Sequence, residues 1–317
     1  MTFAVVFPGQ GSQSVGMLAE LAAEYPVVGE TFAEAADALG TDLWAISRDG
    51  PAEVLADTRV TQPLMFTSGV ALWRALIAAG LPQPAVVAGH SLGEFSAMVA
   101  AGALSFSDGL AVVQRRAELM ATAVAEGEGG MAALIGMDDE AVVELCQSLS
   151  GERVVEAVNF NAPGQVAISG HLDALEKVME AARGKGARKA IMLAVSVPNH
   201  SSLMQPAGAQ LATFLDTIDI AQPQIPLVQN ATAAVAESRQ VLVERLREHV
   251  YSPVYWTQSI QTLIKDFSVQ TIIECGPGKV LSGLGKRIDR TVPTLPVESP
   301  EALQAAVAAV SAASANA

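Results

Sequence analysis

Cysteine is nearly missing from the 317-residue chain: only Cys146 and Cys275 occur. Two thiols make neither a disulfide framework nor a metal site, and they read as buried and reduced, as in a cytoplasmic protein. Histidine is scarce too, with four residues scattered along the chain, so no bound metal or cofactor is expected. Aromatics account for 5% of the residues although half are apolar. Alanine, valine and leucine must therefore fill the core, a mix that suits helices on a parallel sheet better than a β-sandwich. Basic residues are outnumbered 19 to 33, for a net charge of −14. Neutralising phosphates needs a basic face, so nucleic acid is not an expected partner. No apolar run approaches the roughly 18 residues of a spanning helix. The opening Met1-Thr2-Phe3-Ala4-Val5-Val6-Phe7-Pro8 lacks the basic region and length of a signal peptide, so no membrane role is expected.

What is present alternates. Short apolar runs separated by helical periodicities predict a βαβ sheet. Strands are expected at 3–7, 85–88, 193–197, 227–229 and 271–275, and helices at 62–79, 94–101, 107–125, 203–215 and 238–250. The middle departs from this rhythm. After the polar hinge Glu126-Gly127-Glu128-Gly129-Gly130 come strand 131–136, helix 138–149, strands 154–160 and 165–169, helix 172–182 and strand 188–195. That βαββαβ order is ferredoxin-like. The expected fold is α/β: a large domain of residues 1–126 and 197–317 with a parallel sheet, carrying a small inserted domain of residues 127–196. The alanine-rich end, 302–317, reads as a fraying helix.

Gly89-His90-Ser91-Leu92-Gly93 matches G-x-S-x-G, between an expected strand and an expected helix. A serine exposed at so tight a turn needs small residues two places to either side, so that the backbone reverses without a Cβ clash. The helix that follows aims free N–H groups at the site, with the N–H of Leu92 placed for a tetrahedral oxyanion. The bland alternative is an ordinary glycine-rich turn. An activated serine needs a base. His90 adjoins Ser91 and points away at such a turn, and His171 follows a strand of the inserted domain. His249 sits near a helix end, where the dipole favours imidazolium. His200, in Pro198-Asn199-His200, follows an expected strand at its carboxyl end, where catalytic groups gather. It is the candidate base.

Together, Phe7-Pro8-Gly9-Gln10-Gly11-Ser12-Gln13, Gly89-His90-Ser91-Leu92-Gly93-Glu94, Arg116, Asn159-Phe160-Asn161, Pro198-Asn199-His200 and Glu274-Cys275-Gly276-Pro277-Gly278 resemble the malonyl-CoA:acyl-carrier-protein transacylase family over almost the whole chain. The resemblance implies an α/β-hydrolase-like large domain with a ferredoxin-like insert. It implies malonyl-CoA and phosphopantetheinylated acyl carrier protein as substrates, in fatty-acid biosynthesis. Ser91 would be the nucleophile, His200 its base, and the N–H groups of Gln10 and Leu92 the oxyanion hole. Arg116 would bind the malonyl carboxylate. In the family a main-chain carbonyl, usually of a glutamine, steadies the base; here that position is His249, a departure.

Arg116 can be weighed on its helix alone. The apolar stripe Leu110, Val113, Ala117, Met120, Val124 puts Arg115 opposite it and Arg116 only about 80° away. Arg115 belongs to solvent, whereas Arg116 borders the core and needs a partner: a substrate carboxylate or a protein acid. The main rival reading is a serine esterase or thioesterase, which expects Ser, then an acid, then a late His; no histidine follows His249. A binding module built on Pro8-Gly9-Gln10-Gly11 lacks the spacing of a phosphate loop. An acidic carrier remains compatible with the charge balance, because local patches set the field at an interface. Lys286-Arg287 and Arg188-Lys189 are the candidate docking residues.

Overall fold

Every position of Phe3-Ala4-Val5-Val6-Phe7 is apolar and every one is buried, as in a strand covered on both faces. The computed structural model describes residues 2–311. Its strands are β1 (Phe3–Phe7), β2 (Val86–Gly89), β3 (Gly129–Ile135), β4 (Val155–Ala162), β5 (Gln165–His171), β6 (Lys189–Met192), β7 (Leu227–Gln229), β8 (Ala234–Val235), β9 (Thr271–Glu274) and β10 (Thr294–Pro296). They form two sheets in a mixed α/β fold.

The first sheet has the order β10-β9-β1-β2-β7-β8. All its pairings are parallel except β7 with β8. Alternation within β1 splits the core. Phe3, Val5 and Phe7 join Phe66, Phe95 and Leu211 on one face, whereas Ala4 and Val6 join Val86, Trp256 and Leu281 on the other. Register matters more for the site. Phe7 lies opposite Gly89 and Val6 opposite Glu274, so β1, β2 and β9 end almost level. The loops that follow them open side by side.

The second sheet is antiparallel, in the order β4-β5-β3-β6. Helices Asp139–Leu149 and Leu172–Gly184 cover one face, burying Leu134, Ile168, Val142, Leu145, Leu175 and Val178. The other face carries the small cluster Met131, Val158 and Ala167, against Val195. Val254 stitches β4 to the rest of the molecule: it accepts from the N–H of Phe160 at 2.9 Å and donates to Val158 at 2.8 Å.

The strand expected at 193–197 is not formed, and neither is the full run 188–195. β6 stops at Met192, and the chain leaves as an irregular connector after one further bond, Leu193 N–H to Met131 at 2.9 Å. Pro198 has no N–H to continue a ladder. Strands β8 and β10 and the helices between residues 19 and 56 lie beyond what the apolar runs indicated. Helix Pro300–Ser311 covers the start of the alanine-rich end; the remainder of that stretch lies outside the described residues. No described helix is long and apolar enough to cross a membrane.

Candidate active site

Strand β2 runs into helix Gly93–Ala100 through a turn that only glycine permits on either side of the serine. A Cβ on Gly89 would fall 2.0 Å from the carbonyl of Gly93, and one on Gly93 would fall 2.1 Å from the oxygen of Phe7. Between them Ser91 holds φ 50°, a left-handed conformation that turns its side chain outward. The backbone N–H groups of Leu92 and Gln10 donate to no acceptor among the described residues.

Ser91 Oγ lies 2.7 Å from Nε2 of His200. The Nδ1–H of that imidazole faces two carbonyls, Ser252 at 3.0 Å and His249 at 3.2 Å. Two acceptors on Nδ1 fix the proton there and leave the Nε2 lone pair for the serine hydroxyl. His200 itself has φ 65°, and its backbone N–H donates to Val250 at 2.9 Å. The residue stands beside Ser91 as expected, but an irregular connector brings it there, not a strand end. Burial, with the charges of Arg116 and His90 adding to it, pushes its pKa down to about 3, so the imidazole is neutral.

Arg116 is buried in helix Phe106–Ala121. Nη1 donates to Gln62 Oε1 at 2.5 Å and Nη2 lies 3.4 Å from Ser91 Oγ. Among the described residues no carboxylate comes within 4 Å of it, whereas Arg115 pairs with Glu118 at 3.2 Å on the surface. Burial lowers the guanidinium to about 9, against the opposing pull of Glu94. Gln62 is itself held, donating to Thr58 Oγ1 at 3.3 Å, and Thr58 donates to Gln10 Oε1 at 3.1 Å. A hydrogen-bonded chain thus joins Gln10 to Arg116.

Beneath the turn Asn230 accepts the N–H of Ser91 at 2.6 Å and donates to the carbonyl of Gly89 at 2.6 Å. Glu94 supports Asn230 in turn. His90 turns to Asn161, 2.7 Å away, and packs edge-on against Trp256. His249 is buried between Phe95 and His200, and burial holds it well below its usual range. A cleft of about 170 Å³ opens over Ser91 between the sheets, lined by Gln10 and His200 on one side and by Met131, Asn159 and Asn161 on the other. A larger groove of about 670 Å³ shares Leu193 and Val195 with it but reaches neither Ser91 nor His200.

Gln62, Asn230 and the Ser252 carbonyl were not singled out by the sequence. Asn230 follows β7 at the carboxyl edge of the sheet, and Gln62 is a lone amide in an apolar helix; those were the available signals. The four basic candidates, Lys286, Arg287, Arg188 and Lys189, are all exposed and none reaches Ser91. Lys189 and Gln165 lie opposite Ile135 from either side, and Arg287 donates to Gln165. The four therefore gather at one end of the antiparallel sheet.

A neutral histidine on a serine, with unpaired N–H groups and a buried cation beside it, is equipment for acyl transfer. A family profile described as acyl transferase domain matches residues 4–310. The malonyl CoA-acyl carrier protein transacylase of Salmonella typhimurium is 48% identical over 300 residues, 95% of this chain and 97% of that protein. The acyl-carrier-protein S-malonyltransferase structure from Burkholderia pseudomallei superposes with a TM-score of 0.94 at 48% identity, covering 97% and 99% of the two chains. A malonyl-transacylase solved in complex with its type II polyketide synthase acyl-carrier protein superposes equally well, at TM-score 0.94, 44% identity and the same coverage. The chain belongs to the acyl transferase domain family and, within it, to the malonyl-CoA:acyl-carrier-protein transacylases.

Proposed function

We propose that the chain carries a malonyl group from malonyl-CoA to the phosphopantetheine thiol of an acyl carrier protein through an O-malonyl ester on Ser91. The observation that carries this is Arg116: a buried guanidinium with no carboxylate of the described residues in ion-pair reach, 3.4 Å from the serine oxygen. Such a charge is costly until paired, and the free carboxylate of a malonyl group pairs it bidentately.

His200 takes the Ser91 proton as Oγ attacks the thioester carbon. The N–H groups of Gln10 and Leu92 stabilise the oxyanion, the C–S bond breaks, and CoA leaves with the proton from His200. The carrier thiol then attacks the serine ester, losing its proton to His200, and Ser91 regains a proton as the C–O bond breaks. The carbonyls of His249 and Ser252 share the orienting of the base. Arg116 disfavours imidazolium while unpaired. A malonyl carboxylate offsets that charge, so the cognate substrate strengthens the base that must act on it.

The strand order β4-β5-β3-β6 and the separate apolar cluster beneath it support reading residues 127–196 as a ferredoxin-like inserted domain. The parallel sheet with its serine turn supports an α/β-hydrolase-like large domain of residues 1–126 and 197–317. The basic end of the small sheet, with Arg188, Lys189, Lys286 and Arg287, is the docking site for an acidic carrier, although Arg287 is partly engaged by Gln165. Fatty-acid biosynthesis in the cytoplasm is the setting. A serine esterase or thioesterase would use the same serine and histidine but pass the acyl group to water.

The deciding experiment is acyl transfer by Arg116→Ala with competing malonyl-CoA and acetyl-CoA. Malonyl transfer should fall by the equivalent of about 3–5 kcal/mol, as for a broken buried pair, while acetyl transfer survives. Equal losses for both substrates would make Arg116 structural. Release of free malonate in place of malonyl-carrier would favour the hydrolase.

A further inference from the structure

The left-handed Ser91, at φ 50°, is strained for a residue with a Cβ and persists only if its surroundings over-determine it. One side chain does so. The Asn230 amide spans the turn, Oδ1 accepting the N–H of Ser91 and Nδ2 donating to the carbonyl of Gly89, both at 2.6 Å. The amide cannot reverse, because Nδ2 would then confront the Ser91 N–H. The same clamp occupies the N–H of Ser91, leaving that of Leu92 for an oxyanion.

Asn230 is fixed from below by Glu94. Oε2 accepts the backbone N–H of Asn230 at 2.8 Å and also its Nδ2, and Oε1 receives Gln229 Nε2 at 3.4 Å. Every group that hydrogen-bonds Glu94 from strand β7 and its end is a donor. Protonation at Oε2 would set an O–H against the N–H groups that converge there, and protonation at Oε1 would weaken both oxygens as acceptors.

We infer that Asn230, clamped by the carboxylate of Glu94, is the positioning residue for the Ser91 turn, and that Glu94 must be ionised for acylation at full rate. Burial outweighs the donors and pushes Glu94 up to about 7, so its acid form is present near neutrality. The other charged or titratable groups facing it are few. Arg116 approaches from helix 106–121 and keeps its charge in this range. His249 Nε2 lies 3.8 Å away, from the end of helix 239–248, with His200 beyond it; burial keeps both neutral. Arg245 reaches the network only through Gln229, at 3.4 Å. Glu94 is therefore the group left to titrate, and acylation slows as pH falls through about 7.

The inference rests on Ser91 being the nucleophile, and the test separates the two. Single-turnover acylation by malonyl-CoA is followed by intact mass between pH 6 and 8 for wild type, Glu94→Gln and Asn230→Asp. The wild-type rate should show an acid limb centred near 7. Glu94→Gln, which carries an NH₂ where the acid would carry its proton, should acylate about tenfold more slowly, without the limb and with the KM for malonyl-CoA within about twofold. Asn230→Asp sets two carboxylates together and should be slower still, and adding Glu94→Gln should restore part of its rate by reversing donor and acceptor. A flat wild-type profile, which needs no variant to fold, overturns the inference. So does Glu94→Gln at the wild-type rate or with its limb intact. A wild-type adduct on a residue other than Ser91 would instead overturn the proposed nucleophile.

Discussion

Burial and a neighbouring guanidinium keep His200 neutral, while two carbonyls hold its Nδ1–H. As the proposed base His200 would act through its side chain, whereas His249 meets it through a backbone oxygen that any residue supplies. His200→Ala should therefore lose at least about 100-fold in malonyl transfer, the lower range for a general base. His249→Gln should stay within about tenfold, near 1.4 kcal/mol in barrier, helped by the second carbonyl from Ser252. Steady-state transfer rates, with circular dichroism to show intact folds, check both. Comparable damage from the two substitutions would mean that His200 is not the sole base. At this scale Arg116 was legible, because an arginine about 80° from an apolar stripe borders the buried face and calls for a partner. Gln62 was not: an amide in an apolar helix identifies no partner until another helix is laid beside it.

The turn from β2 into its helix was the most legible element, since its glycine spacing is a local pattern and a Cβ on Gly89 would meet the backbone of Gly93 within the same turn. A Cβ on Gly93 would meet backbone oxygen on β1, which cannot move aside as a flexible side-chain tip could. Gly93→Ala should cost about 3 kcal/mol through overpacking, read as a lower urea midpoint with an unchanged slope. Full stability in this variant would show that β1 and β2 can part at their carboxyl ends. The segment 193–197 departs from the expected strand for a physical reason. Apolar β-branched residues describe a strand equally well whether or not a neighbour offers a free edge, and here the chain turns towards the cleft after Met192.

Across the whole molecule, buried titratable groups of opposite sign make stability depend on pH. His200 is lowered from 6.5 to about 3, so between these values the unfolded chain binds a proton that the folded one refuses. Stability is lost as pH falls, by about 2 kcal/mol at pH 5 from this residue alone. Glu94, raised from 4.5 to about 7, acts in the opposite sense, because the folded chain protonates first and gains stability as pH falls through 7. Urea unfolding of His200→Gln at pH 7 and pH 5 should show about 2 kcal/mol less loss on acidification than wild type; an unchanged loss would mean that His200 titrates normally in the fold. The proposed carrier surface is likewise a property of the whole. Glutamate at Lys286 and Arg287, or at Arg188 and Lys189, should raise the KM for carrier, and added salt should shrink the difference from wild type. A KM indifferent to both pairs would move docking elsewhere.

Local rules carried the sequence a long way. The spacing of glycines about Ser91, continuous apolar runs and a strand–helix–strand–strand–helix–strand rhythm are patterns among neighbours a few residues apart, so they can be read without knowing the fold. The chemistry of the site depends on residues 25 to 141 positions apart along the chain, whose meeting is set by sheet register and helix packing. Which carbonyls hold His200, that Gln62 and not an acid meets Arg116, and that Asn230 and Glu94 lie beneath the serine were decided only by tertiary structure. Hydrogen bonds and buried charges act over a few ångströms, a distance that sequence separation does not encode.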